Sequence, residues 1–233
     1  LDILSKDILQ KALIDYPENN SYPLFLAGLY IQQNRHEAAI EIFNDILKKE
    51  PANEGVQIRL GLLYTHRLEF DKAEDLFNNV LSHSSDSYFP RLYLARLLKT
   101  AERPDEAAEE YEKALRLNWS KDLAFEIGHF YTTEDRFADA LRIYTTITEN
   151  DQEDERAALA RIQTLLNLQR NDEALNELLE MRPWSSEPEK IDLAASKLML
   201  RDNKTEEART LLEQLVQKSQ ASEPHYMLAL LAY

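Results

Sequence analysis

The sequence predicts an all-α protein built as a solenoid of stacked antiparallel helix pairs, and three observations predict it. Small residues recur at a nearly fixed interval: Ser5, Ala39, Ala73, Ala107, Ala140, Ala174 and Ala208 are separated by 34, 34, 34, 33, 34 and 34 residues. A bulky residue stands four positions after each, at Leu9, Phe43, Phe77, Tyr111, Tyr144, Leu178 and Leu212, which puts both on one face of one helix. Composition agrees, because 4 Gly and 8 Pro in 233 residues, with 44% hydrophobic and 30% charged, suit a compact, helix-rich, soluble chain.

The segment 60–85 displays the unit most clearly. It carries Gly61, Tyr64, Ala73 and Phe77 at offsets 0, 3, 12 and 16, matched upstream by Ala27, Tyr30, Ala39 and Phe43 and downstream by Ala95, Leu98, Ala107 and Tyr111. A small residue at offset 0 lets the first helix of a unit approach the second closely, and the alanine at offset 12 does the same from the other side. The length of the chain then requires no second domain, since a solenoid buries its core unit by unit.

Taken in order, the chain opens with a lone second helix near residues 3–16, ended by Pro17, in a truncated repeat spanning 1–19. Full pairs are expected over 20–53, 54–87, 88–120, 121–154, 155–188 and 189–221, with a lone first helix in 222–233. The turns inside the pairs fall at Asn34–Arg35, Glu69–Asp71, Ala101–Asp105, Thr133–Arg136, Arg170–Asp172 and Asp202–Thr205. Asp71 with Glu74 has the spacing of a capping box, and Pro104 before Asp105 suits a first helical turn. The segment RPWSSEP, residues 182–188, resembles a linker, but the 34-residue register from Ala174 to Ala208 runs through it and predicts an ordered turn. Arrays of this kind usually end in a unit with a polar outer face. This one ends in Leu230, Leu231, Ala232 and Tyr233, so we expect a segment of a longer protein, with self-association through the uncapped ends as one consequence.

The period, the two short helices per unit, and the Leu-Gly-x-x-Tyr then Ala-x-x-x-Phe spacing resemble the tetratricopeptide repeat. The resemblance covers the whole chain and is sharpest at Leu60, Gly61, Tyr64, Ala73 and Phe77, then Leu94, Ala95, Ala107, Tyr111 and Ala114, then Ile127, Gly128, Tyr131, Ala140 and Tyr144. Later units depart from the pattern, with Arg161 and Ile162 where the family has an apolar and a small residue, and Ser196 and Met199 in place of Gly and Tyr. The repeat's terminal proline is kept as Pro17 and Pro51 and replaced elsewhere. The resemblance implies a right-handed superhelix whose concave groove, lined by first helices, binds a peptide or helical segment of a partner protein.

Charge narrows the partner. With 27 Lys and Arg against 42 Asp and Glu, the net charge is −15. That disfavours nucleic acid, which needs concentrated positive charge, although related helix-pair repeats read RNA. No apolar run reaches the 18 or so residues of a membrane-spanning helix, and no signal sequence is apparent, which leaves cytoplasm and periplasm both open. The chain has no Cys, so thiol nucleophiles, disulfides and cysteine-ligated zinc are excluded from this segment. His36, His66, His83, His129 and His225 have no ligand spacing, and no phosphate loop or nucleophile elbow occurs. Carboxylate pairs such as Glu109–Glu110 and Glu206–Glu207 sit near the starts of second helices, where negative charge supports the helix. No catalytic residue, metal or cofactor is predicted.

The candidate binding residues are Leu24, Ile58, Leu62, Phe89, Leu92, Arg96, Lys99, Phe125, His129, Leu159, Gln163 and Lys197. Their basis is an apolar row five residues into each unit (Leu24, Ile58, Leu92, Phe125, Leu159, Leu193, with Tyr226 near the same place) flanked by cations. The same row also fits plain packing between neighbouring first helices, and both alternatives stand at this point. Apolar anchors with scattered cations suit a peptide or amphipathic helix bearing some acidic residues. The family's clamp for C-terminal carboxylates is not reproduced: its sites fall on Leu24, Gly28, Arg59, Phe89 and Tyr93, or one register later on Leu92, Arg96, Glu126, Arg156 and Ala160. The sequence thus predicts a non-catalytic interaction scaffold. The alternative is a substrate-recruiting repeat region of a larger enzyme, such as a glycosyltransferase, with catalysis encoded outside these residues.

Overall fold

A computed structural model describes residues 19–218 and 221–231. Among them are thirteen α-helices and no strand. They are α1 (Ser21–Gln32), α2 (His36–Lys49), α3 (Glu54–His66), α4 (Phe70–His83), α5 (Tyr88–Thr100), α6 (Pro104–Leu117), α7 (Lys121–Thr133), α8 (Phe137–Asn150), α9 (Glu155–Asn167), α10 (Asn171–Met181), α11 (Pro188–Arg201), α12 (Thr205–Lys218) and α13 (Ser222–Leu230). The helix expected at 3–16 and the terminal Ala232 and Tyr233 lie outside the described residues. The chain divides into two compact units, Leu1–Asn118 with α1 to α6 and Trp119–Tyr233 with α7 to α13.

In both units the odd-numbered helices are first helices and the even-numbered ones second helices, and the two kinds bury different amounts of surface. Second helices are amphipathic: α4 buries Ala73, Phe77 and Val80 and turns charge outward. First helices are packed on two sides, so α7 buries Leu123, Ala124, Phe125, Ile127, Gly128, Phe130 and Tyr131. In the inner first helices, such as α7, only a narrow stripe is left to solvent, whereas α1 buries only Ala27 and α13 only Pro224.

The small residues act where the spacing predicts. A Cβ built on Gly61 would lie 2.7 Å from the Phe77 ring, and one on Gly128 would lie 2.6 Å from the Tyr144 ring. Offset 0 and offset 16 therefore meet, aromatic face on bare backbone. Ser196, which replaces the glycine in the last full repeat, is fully buried and donates its hydroxyl hydrogen to the Asp192 carbonyl at 2.8 Å. Arg161 stands in an apolar position and is accommodated by pairing with Glu177 at 2.7 Å and donating to the Thr148 hydroxyl at 2.8 Å.

Every turn inside a pair closes in one way. Asn34, Leu68, Glu102, Asp135, Gln169 and Asn203 adopt the left-handed conformation, with φ between 55 and 61°. The following amide donates back five residues: Arg35 to Tyr30, Glu69 to Tyr64, Arg103 to Leu98, Arg136 to Tyr131, Arg170 to Leu165 and Lys204 to Met199, at 2.8 to 3.0 Å. This is the closure that ends helices by capping their last carbonyls, and it normally selects glycine. None of the six is glycine.

The helix starts differ in part from expectation. Pro104 opens α6 as predicted. The Asp71–Glu74 capping box does not form, because α4 begins at Phe70 with Glu69 at its N-cap, two residues before the expected start, and the Glu74 carboxylate instead pairs with Arg103 at 2.5 Å. Side-chain caps occur on first helices: Asn53 accepts from the Val56 amide, Ser120 from Leu123 and Asp154 from Ala157. The RPWSSEP segment is an ordered turn, in which the Ser185 and Ser186 hydroxyls donate to Glu155 at 2.6 and 2.8 Å.

That contact belongs to a recurring set. Asn20 with Glu50, Glu54 with Ser84, Lys121 with Asp151, and Glu155 with Ser185 are bonded at 2.5 to 2.8 Å, each pair thirty residues apart. Each contact ties the start of a first helix to the loop that follows its own second helix. The serine hydroxyls hold the Glu155 carboxyl below its usual range, and the Asp151 and Asp154 carboxylates raise the affinity of Lys121 for its proton.

Candidate functional site

In the first unit, the exposed stripe of the first helices is apolar and aromatic. Phe25 on α1 and Phe89 on α5 are each 59% exposed, and Leu62 on α3 is 38% exposed. Phe89 stacks on Tyr93 at 6.2 Å and meets Tyr88 edge-on at 5.1 Å. Leu24 and Ile58 are half-buried, Leu24 packing against the core around Phe43. Leu92 is buried, and Arg96 and Lys99 are exposed.

Between α1 and α3 lies a cleft of about 300 Å³ whose lining includes Gly28, His36, Phe43, Arg59, Leu62 and His66. It exists because of the repeat register. Gly28, Leu62 and Arg96 are equivalent positions at 34-residue spacing, and the first of them has no side chain. A Cβ on Gly28 would meet nothing within 4 Å. The imidazoles of His36 and His66 pack edge to face at 5.2 Å. Arg35 stacks on Tyr30 at 4.3 Å, and Arg67 is paired with Glu37 and with Glu69. Arg59, exposed on the same rim, has no ion pair or ring contact among the described residues.

The second unit treats the same stripe differently. Phe125 is only 7% exposed, packs against Tyr144 at 6.2 Å, and is covered by the Arg156 guanidinium 4.0 Å above its ring. Burial pushes the Tyr144 phenol up. Leu159 is 44% exposed, and the positions matching Gly28 are His129, Gln163 and Lys197, all exposed. Lys197 is paired with Glu223 at 2.6 Å, and Gln163 donates to Asn167 at 3.3 Å. A second cleft, of about 430 Å³, is lined by Arg161, Glu177, Met181 and Trp184 among others. Its guanidinium is already satisfied by Glu177 and Thr148.

Of the predicted binding residues, the structure therefore sets Leu92 and Phe125 into packing between helices and leaves Leu62, Phe89, Arg96, Lys99, His129, Leu159, Gln163 and Lys197 on the surface. Phe25 and Gly28 were absent from that set. Their signal was the register: Phe25, Arg59 and Tyr93 form one column of equivalent positions, and Gly28, Leu62 and Arg96 the next but two. Among the described residues no group of three or more His, Asp or Glu could hold a metal, and no helix is long and apolar enough to cross a membrane.

Family models described as tetratricopeptide repeat match residues 6–63, 94–118 and 131–188. The chain belongs to the tetratricopeptide repeat family. Its repeats are thus of a kind that serves as protein-interaction scaffold. Over 95 residues the chain is 30% identical to the BBSome complex member BBS4 of Bos taurus, a match covering 41% of this chain and 17% of that protein. In fold it is similar to a chain in the structure of Naa15/Naa10 bound to HypK-THB, with a TM-score of 0.72 at 15% identity, covering 90% of this chain and 33% of the other. It is also similar to YrrB, a repeat protein described as having an unusual peptide-binding site, with a TM-score of 0.53 at 20% identity, covering 82% of this chain and 96% of that one. The chain therefore spans a third or less of the bovine relative and of the Naa15/Naa10 structure's matched chain.

Proposed function

We propose that this chain is a non-catalytic scaffold that binds a segment of a partner protein on the exposed stripe of its first helices, chiefly those of the first unit. The observation that carries this reading is the exposure of Phe25, Leu62 and Phe89 on the solvent stripe of three successive first helices. Large aromatic side chains left in water on one face are the usual anchors of a protein interface. Support also comes from the family itself and from the peptide-binding description of YrrB. Acidic residues elsewhere on the chain keep the surface soluble without contributing to the site.

The test compares the wild-type chain with a Phe25→Glu, Phe89→Glu double variant carrying both changes on exposed positions. Circular dichroism should show equal helicity. A photo-crosslinker placed at position 62 in both proteins should then capture one discrete partner when Phe25 and Phe89 are present, and the folded double variant should lose it. Capture of the same partner by both proteins would move the site elsewhere.

A further inference from the structure

The cleft between α1 and α3 specifies what kind of segment enters it, an inference that rests on the binding reading above. Its floor is apolar, with Phe43 and Leu63 both almost fully buried and Leu62 on the near wall. Its opening is made by the missing side chain of Gly28, above which a Cβ would meet nothing within 4 Å. No carboxylate lines it, in a chain whose net charge is −15. The charged or protonatable groups that do line it are Arg59, His36 and His66. Neighbouring Arg35 and Arg67 are occupied, the first by the Tyr30 ring and the second by Glu37 and Glu69, whereas Arg59 has no such partner among the described residues.

An apolar hole edged by a guanidinium that has no partner among the described residues is complementary to one chemistry. We propose that the cleft takes a single large apolar side chain, Leu, Met or Phe, from an acidic segment of a partner protein, with an Asp or Glu next to that side chain pairing with Arg59. The apolar group supplies desolvation and the carboxylate fixes register, the division of labour common to buried anchors and rim charges. Arg59 suits this role because its planar fork can bind a carboxylate in two parallel hydrogen bonds. Because the chain as a whole is acidic, an acidic segment is held only where its carboxylate reaches Arg59 and its apolar side chain fills the cleft, so both elements are needed together.

The experiment is a selection of random nine-residue peptides displayed on phage, run in parallel on the wild-type chain, on Gly28→Phe and on Arg59→Glu. Gly28→Phe plugs the opening with no clash at Cβ and replaces a mid-helix glycine, so its thermal midpoint should match or exceed wild type. The wild type is expected to enrich peptides carrying one Leu, Met or Phe beside Asp or Glu. A synthetic peptide of the enriched sequence should lose about tenfold or more in affinity on Gly28→Phe and a similar amount on Arg59→Glu, whereas its Asp/Glu→Lys version should gain on Arg59→Glu. Enrichment of basic or purely aliphatic peptides would overturn the proposal. Enriched peptides that bind Gly28→Phe as well as wild type would also overturn it while leaving the scaffold reading in place, and failure to enrich any peptide would count against both.

Discussion

Two phenylalanines on first helices, Phe89 in the first unit and Phe125 in the second, meet opposite fates. Phe89 is 59% exposed and stacks on the neighbouring Tyr93, whereas Phe125 is 7% exposed under the Arg156 guanidinium. The register explains the contrast. Phe89 is the second residue of its repeat, a position that faces outward, and Arg156 is the second residue of its own. The second unit thus places a cation where the first places an aromatic, and the cation lies over the ring one repeat back. The second position of the repeat therefore holds an exposed aromatic in one unit and the cover of a buried aromatic in the other.

The sharpest way to break this contrast is truncation. Phe125→Ala should destabilise the chain by about 3 kcal/mol, as for a large core side chain, and Phe89→Ala by under about 1 kcal/mol. Urea unfolding of the two variants checks this, and equal losses would mean that the two sites do not differ. The next effect should be shared by both units. Gly61→Ala and Gly128→Ala each force a methyl group into a buried ring, and each should cost about 1 to 3 kcal/mol despite the gain in helix propensity. A neutral result at either would show that the ring can turn aside.

Smaller effects sharpen the picture. Leu68→Gly in the first unit and Gln169→Gly in the second relieve a left-handed backbone and should raise stability by about 0.5 to 1 kcal/mol each, seen as a higher thermal midpoint. Smallest of all, Arg156→Gln removes the cover of Phe125 and should cost about 0.5 kcal/mol in thermal unfolding, with no change for Phe89. A larger loss would make Arg156 part of the core rather than its lid.

Much of the fold was legible because close packing leaves a strong trace: Gly61 facing Phe77 and Gly128 facing Tyr144 are contacts sixteen residues apart that only small-plus-aromatic spacing satisfies. The inner turns were legible in place but not in shape, since left-handed Leu68 and Gln169 break the preference for glycine that would have announced them. The exposed stripe was half legible. The apolar row five residues into each unit mixes both fates, because Leu92 and Phe125 are buried between helices while Leu159 is exposed to solvent. The cleft was least legible, for it is formed by what Gly28 lacks.

The ties between residues thirty positions apart have a mechanical consequence. Each joins the start of a pair to its end, so every repeat that has one is latched shut on itself. A chain pulled from its termini loads its repeats in series, and in each latched repeat these hydrogen bonds add to the helix packing that must give before the pair opens. Yielding then proceeds pair by pair, each step releasing one repeat and lengthening the tether by about 110 Å of extended chain. Such a protein gives way under tension like a ratcheted strap, holding its remaining pairs intact while one is paid out.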